Sequence, residues 1–253
     1  MKFGSVRGRI MAWSHLRALK QIDEPVGCSR SVAEYLHSRN VQNASHIQNG
    51  VDRNQFHPVN KDKQIKLRDE LELPQDRKIL VSVGHLRKRK DPITVLKGYS
   101  CSEASKDSIL IMIGEGPLRS ECEAEARSSN KDIRFTGRVE NVDEYLQCAD
   151  IFISASRSEG LPNTVMEASS TALPLVLSNI QPHVEILDIN REAGSLFPVG
   201  KPEEMAIKLD KILNNPENQH SGASLSIAKK VLNAKRMSSE YKNKYLGLID
   251  SLK

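Results

Sequence analysis

The sequence predicts an α/β fold, a doubly wound parallel sheet with helices on both faces. Three observations lead there. Short apolar runs bounded by Gly, Pro, Ser and Asp recur along the chain, separated by charged segments of helical length. At least four strand–helix units follow one another, the order that builds a parallel sheet. The third is residues 148–178, CADIFISASRSEGLPNTVMEASSTALPLVLS, which read as strand, polar loop, helix and strand.

The elements follow in order. Residues 1–22 are basic with helical character, and Trp13 and Leu16 are placed to pack on a neighbour. Residues 25–29 form a short strand and turn, with Ser29 capping a helix over 31–38. Asn49-Gly50 is a strong turn signal, although no hairpin strands flank it. Residues 61–75 are helical and charged. RKILVSVG, residues 77–84, is a buried strand, followed by the basic loop HLRKRKDP and a helix over 91–100. A strand over 108–114 leads into Gly114-Glu115-Gly116-Pro117-Leu118 and a charged helix to about residue 129. A strand over 132–137, a short helix over 141–147 and strands at 151–153 and 175–177 come next. Residues 194–199 are an edge strand or turn, 202–213 an amphipathic helix, and 229–252 one or two more helices. One sheet domain over 51–225 is expected, with 1–50 and 226–253 standing outside it.

Composition narrows the classes. The chain has 253 residues, is 38% hydrophobic and carries a net charge of +5. No run approaches the ~18 apolar residues that a membrane helix needs, and residues 1–13 lack a full signal-peptide apolar core. Cys28, Cys101, Cys122 and Cys148 are scattered without a CxxC pair, so neither a zinc site nor a redox motif is indicated, and a reducing cytoplasm fits. No metal is called for. His183 lacks a metal partner at useful spacing and reads as a surface histidine. The positive charge fits anionic ligands, the inner face of an anionic membrane, or solubility alone. Residues 87–90, RKRK, are the one feature that favours nucleic acid. Aromatic residues for base stacking are only 4%, and no helix-turn-helix or finger pattern appears, so nucleic acid is not expected.

The candidate site lies where parallel strands end. In open parallel sheets ligands bind beyond the carboxyl ends of the strands. Residues 158–163, SEGLPN, belong there, with Pro162 fixing the entry to the next helix, Asn163 capping it, and free N–H groups at its start facing an anion. Glu159 and Glu167 are placed to accept hydrogen bonds from ribose or sugar hydroxyls. By spacing alone they also read as two surface glutamates, one favourably near a helix N-terminus. Lys90, in the basic loop after the first strand, offers charge-assisted bonds to a diphosphate, whereas Arg87, Lys88 and Arg89 read as solvated. The G-x-G at 114–116 is not a dinucleotide fingerprint, because Arg119 stands where the third glycine belongs.

Glu159-Gly160-Leu161-Pro162-Asn163 with Glu167 resembles the E-x7-E signature of retaining glycosyltransferases of family 4, which have the GT-B fold. The serine-led helix, the NGVD at 49–52 and the later F-x-P also resemble that family, at its crossing from the amino-terminal to the carboxy-terminal domain. The resemblance implies the Rossmann-like carboxy-terminal half of a GT-B architecture, with 1–50 a remnant of the amino-terminal domain and linker, and 226–253 helices that brace that domain. It implies a nucleoside-diphosphate sugar donor such as a UDP- or GDP-sugar, with no metal or other cofactor. Glu159 would face the donor sugar and Glu167 hold the ribose, with Gly160 and the backbone of Leu161 and Asn163 near the diphosphate or sugar. Gly84, Leu86 and Lys90 match the family's basic loop, where His85 departs from the usual arginine. Gly114 would line the nucleotide pocket, and the backbone at Arg138 would run beside the base. Glu185 matches a family glutamate near the donor side. Ala172 departs from a usual glycine, which leaves open whether that turn needs a positive φ. Lys90 and Glu159 are the residues expected to carry catalysis. With most of the acceptor domain expected to be missing, transfer by the chain alone is expected to be impaired. The expected partners besides the nucleotide sugar are a separate amino-terminal domain or a second copy through the exposed interdomain face, and the alternative function is a noncatalytic nucleotide-sugar-binding module or subunit.

Overall fold

The computed structural model describes residues 6–214, 219–230 and 234–251. The chain opens with helix α1 (Val6–Leu19), strand β1 (Val26–Gly27), helix α2 (Arg30–His37) and strand β2 (Ser45–His46). Ser29 is the N-cap of α2, and its hydroxyl accepts the Val32 N–H at 3.3 Å. β1 and β2 pair in parallel, Val26 opposite Ser45. Leu36, Val41 and Ala44 form a small core here, against which Leu16 and Leu19 of α1 pack. The packing expected of Leu16 is present, but Trp13 is 62% exposed.

The main sheet follows. Helix α3 (Lys61–Glu70) precedes β3 (Lys78–Val83), α4 (Pro92–Cys101), β4 (Ser108–Ile113), α5 (Arg119–Ser129) and β5 (Ile133–Gly137). Then come α6 (Val142–Cys148), β6 (Ile151–Ser154), α7 (Asn163–Ser170), β7 (Leu175–Ser178), α8 (Gln181–Leu187) and β8 (Gly194–Phe197). Helices α9 (Pro202–Leu213), α10 (Gln219–Lys230) and α11 (Ala234–Ser251) complete the described chain. β3 to β8 form one parallel sheet in the order β5-β4-β3-β6-β7-β8.

Burial on both faces explains the apolar runs of β3, β4, β6 and β7, whereas the edge strands β5 and β8 are only partly buried. Ile79, Val81, Ile109, Ile111, Phe152 and Leu175 point into one layer, beneath α3, α6, α7 and α10 through Leu67, Leu146, Val165 and Ile227. Leu80, Leu110, Met112, Ile151, Ile153 and Val176 point into the other, beneath α4, α5 and α9 through Leu96, Cys122 and Leu209. Each fully buried Leu or Ile contributes about 1.5–3 kcal/mol. The chain runs outward from β3 to β5, then returns to place β6 on the other side of β3. The reversal leaves a crevice between the carboxyl ends of β3 and β6, the place where doubly wound sheets bind ligands.

Three details differ from or sharpen the expectations. α10 is one helix running through the expected boundary at 225, and its Ala223 and Ile227 belong to the sheet's core. Ala172 ends α7 with φ of +64°. The turn therefore does need the left-handed conformation, and alanine holds it at about 1 kcal/mol. Residues 1–5, 231–233 and 252–253, parts of the expected terminal helices, lie outside the described residues.

Candidate functional site

Two loops meet at the crevice, one after β3 and one after β6. They are stitched together by their own backbone. The Arg157 N–H donates to the Arg89 carbonyl at 2.8 Å, and the Arg89 guanidinium donates to the Ser158 carbonyl at 2.9 Å. Arg157 also pairs with the buried Asp91 at 2.7 Å. Asp91 sits at φ +49° immediately before Pro92, in the left-handed region, so backbone strain is concentrated beside Lys90.

This stitching brings Lys90 to Glu159. The ammonium lies 2.6 Å from Oε1 of Glu159, and Arg89 lies 2.7 Å from Oε2. Ser156 Oγ donates to Oε1 at 2.8 Å. The Glu159 side chain is only 6% exposed. Burial pushes its carboxyl upward, but Lys90, Ser156 and Arg89 together outweigh that and hold it below the usual carboxylate range. Arg89, read from sequence as solvated, is therefore part of the site. Arg87 and Lys88 are exposed. A small cavity between β3 and β6 is lined by Gly84, His85, Lys90, Met112, Ser154 and Ser156.

Glu167 is partly buried one turn into α7. Burial raises its pKa against the attraction of Lys90. No donor or ion-pair partner reaches its carboxyl among the described residues. Asn163 is a correction to the sequence reading. It is the first residue of α7 and does not cap it; Pro162 holds the N-cap position without a side-chain bond. Asn163 instead accepts a long 3.4 Å contact from Asn49. The first N–H groups of α7 lack intrahelical partners by the geometry of any helix start. The Leu161 side chain is buried in the core, so only its backbone faces the loop.

Gly84 and Gly114 end neighbouring strands. Gly114 has φ of +131°, and a Cβ there would lie 2.1 Å from the Gly84 carbonyl oxygen. At Gly116 a Cβ would lie 2.4 Å from the Leu86 carbonyl oxygen. The G-x-G thus lets the loops after β3 and β4 touch. Arg138 is exposed just beyond β5, and β3 and β4 separate it from β6, so it does not join the Lys90–Glu159 group.

A supporting layer was not legible in the sequence. Ser178 Oγ donates to the Ser156 carbonyl at 2.6 Å. His183 is fully buried, which corrects the expectation of a surface histidine. Its Nδ1 lies 2.8 Å from the Ser178 carbonyl oxygen, which only accepts, so the proton is on Nδ1. Burial brings its pKa down to about 4 and the ring is neutral at pH 7. Ser178 and His183 thus fix the backbone that presents Ser156 to Glu159. Their signal in the sequence was only the small polar residues at the strand ends. Glu185 accepts the N–H groups of Arg30 and Ser31 at the start of α2, at 2.9 and 3.0 Å.

The site combines a lysine, a helix start and two carboxylates at the switch point of a doubly wound sheet, a set of groups whose chemistry can meet both negative charge and hydroxyls. The family of glycosyl transferases group 1 matches residues 63–224, well over half of the chain. The chain belongs to that family. It is 32% identical over 145 residues to an uncharacterized glycosyltransferase of Haemophilus influenzae, a match covering 56% of this chain and 41% of that protein. It is 34% identical over 120 residues to the O-antigen biosynthesis glycosyltransferase WbnH of Escherichia coli, covering 47% of this chain and 33% of WbnH. The chain thus spans less than half the length of these relatives. Among solved structures, Anabaena HepE in complex with UDP and glucose superposes with a TM-score of 0.83 at 14% identity, over 92% of this chain and 67% of HepE. The C-terminal domain of a group 1 glycosyl transferase, LpcC of Francisella tularensis, superposes at 0.65 and 20% identity, over 73% of this chain and 99% of that domain. At these identities the superpositions establish the fold, the Rossmann-type α/β architecture of GT-B proteins. Among the described residues no group of His, Cys, Asp or Glu is arranged to hold a metal ion, and no helix is long and apolar enough to cross a membrane.

Proposed function

We propose that this chain is the donor-binding, carboxy-terminal half of a retaining glycosyltransferase and holds a nucleoside-diphosphate sugar in the β3–β6 crevice. The observation that carries this reading is the contrast at one cleft between Glu159, paired with Lys90, and Glu167, whose carboxyl no hydrogen-bond donor or ion-pair partner reaches among the described residues. Lys90 and the first N–H groups of α7 meet the diphosphate. Glu167 accepts the ribose hydroxyls, and Glu159 orients the sugar. The loops at Gly114 and Arg138 line the base. Lys90 stabilises charge developing on the departing diphosphate, an electrostatic contribution without a metal.

An amino-terminal domain, or a second copy of the chain, completes the acceptor side. Supporting this, Ile10, Met11 and Trp13 on α1 and Tyr245, Leu246 and Ile249 on α11 are exposed apolar residues. Closure over the cleft would exclude water, and a misplacement of about 1 Å can lower rate roughly a hundredfold. The isolated chain is therefore expected to show slow donor hydrolysis at most. Calorimetric titration with UDP, GDP and their sugars is the first test. Saturable binding to one nucleotide series is expected, and a folded sample that binds none overturns the reading. Donor consumption should rise when the amino-terminal domain is supplied. Efficient transfer by the chain alone, near ~1 s⁻¹, would show that it needs no such partner. Donor binding with inertness in both cases would instead favour a noncatalytic binding module.

A further inference from the structure

The loop that carries Glu159 is anchored from a second direction, by a segment more than a hundred residues earlier. Ser29 is fully buried, and its hydroxyl donates to the Gly160 carbonyl at 3.0 Å. Cys28 packs on the same glycine, its Sγ 3.2 Å from where a Gly160 Cβ would stand. Behind them, the Glu185 carboxylate on α8 takes the N–H groups of Arg30 and Ser31, one on each oxygen. A carboxylate on the first N–H groups of a helix gains both charge-assisted hydrogen bonds and the favourable end of the helix dipole. The start of α2 is therefore held between α8 and the β6–α7 loop, and Gly160 is the residue next to Glu159.

We propose that Glu185 and Ser29 are positioning residues, which clamp α2 to the β6–α7 loop and hold Glu159 where it meets the donor sugar. Glu185 forms no hydrogen bond or ion pair with Lys90 or Glu159, so it acts through α2. The loop is fixed on one side by Arg89 and Arg157, from the loop after β3 and from its own backbone. The clamp supplies the other side. Its purpose, although not its existence, rests on the donor reading given above.

Two variants of the full chain test it. Glu185→Asp keeps the charge and shortens the reach by one methylene, so the Cys28 thiol feels the same charge while the contact is lost. Ser29→Ala removes the hydroxyl that holds Gly160, and circular dichroism reports whether α2 survives. Cys28 and the exposed Cys101 are alkylated with iodoacetamide and quantified by mass spectrometry. The Cys28-to-Cys101 labelling ratio should rise roughly fivefold or more in both variants, because the packed turn opens locally. Affinity for a nucleotide sugar should fall about tenfold, while that for the bare nucleoside diphosphate changes less than about twofold, since only the sugar end is misplaced. An unchanged labelling ratio in both folded variants overturns the clamp. Equal weakening of nucleotide and nucleotide sugar overturns the positioning role and leaves general destabilisation. Raised labelling in a protein that binds no nucleotide upholds the contact and defeats the donor reading, and with it the clamp's purpose.

Discussion

The two ends of the E-x7-E segment are chemically alike and physically opposed. Glu159 lies in the loop before α7 and is surrounded by Lys90, Arg89 and Ser156, which hold it ionised despite burial. Glu167 lies one turn into α7, also withdrawn from water, and finds no donor among the described side chains, so burial pushes its pKa up. A carboxylate already satisfied by the protein is fixed in place. One left unsatisfied in a cleft is a site of latent binding energy, because a ligand hydroxyl would supply the missing donor. The pair is one motif in sequence and two environments in space, a rigid electrostatic post and an open acceptor.

Four tests should break or sharpen that contrast. The largest effect is expected for Lys90→Ala, which removes the cation proposed to meet the diphosphate and the nearest partner of Glu159. Nucleotide and inorganic diphosphate should both bind roughly a hundredfold more weakly by calorimetry, within the ~2–5 kcal/mol of binding lost when one partner of a buried, hydrogen-bonded charge pair is truncated. Equal binding by wild type and variant would remove Lys90 from the site. Next comes Glu167→Ala. Hydrogen bonds to a charged acceptor contribute about 1.5–3 kcal/mol, so a nucleoside diphosphate should lose tenfold or more, while inorganic diphosphate is unaffected. If both ligands weaken together, Glu167 is not reading the ribose.

The third test needs no ligand. The folded pKa of Glu159 is depressed, so its contribution to stability is present above its unfolded value, about 4.3, and is lost as pH falls through the lower folded value. The folded pKa of Glu167 is raised, so its contribution is full below the unfolded value and is lost as pH rises through the folded one. Glu159→Gln should therefore lower Tm at pH 7, the deficit shrinking in acid. Glu167→Gln should raise Tm at pH 7, with the gain shrinking as the pH falls toward the unfolded carboxyl value. Thermal scans between pH 3 and pH 8 would show whether the signs are indeed opposite. The smallest effect belongs to the far end of α7. Ala172→Gly relieves a left-handed alanine at φ +64° but adds unfolded-state entropy, leaving a net gain of about 0.5 kcal/mol by urea denaturation. It should not alter ligand binding, and a change there would mean that α7 shifts as a unit.

The sequence by itself determined the doubly wound sheet. Strands buried on both faces must be apolar throughout, so β3, β4, β6 and β7 were visible as runs, and the loops at their carboxyl ends placed Lys90, Glu159 and Glu167 beside a common crevice. Tertiary structure decided which partners those residues have. Ser156, Ser178 and His183 meet because β6 and β7 are neighbours, and Ser29 meets Gly160 across 131 residues. Short polar side chains at strand ends and loop starts look alike in sequence, whether they are solvated or buried. His183 reads as a surface residue for that reason, although it is buried, since a single imidazole has no periodicity to betray its burial. Asn163 reads as a cap because its type favours that position, whereas it is already the first residue of the helix and Pro162 takes the N-cap position. Periodicity records which side of an element faces the core, and it is a local property. Partnership between side chains depends on where strands end relative to one another, which only the assembled sheet fixes.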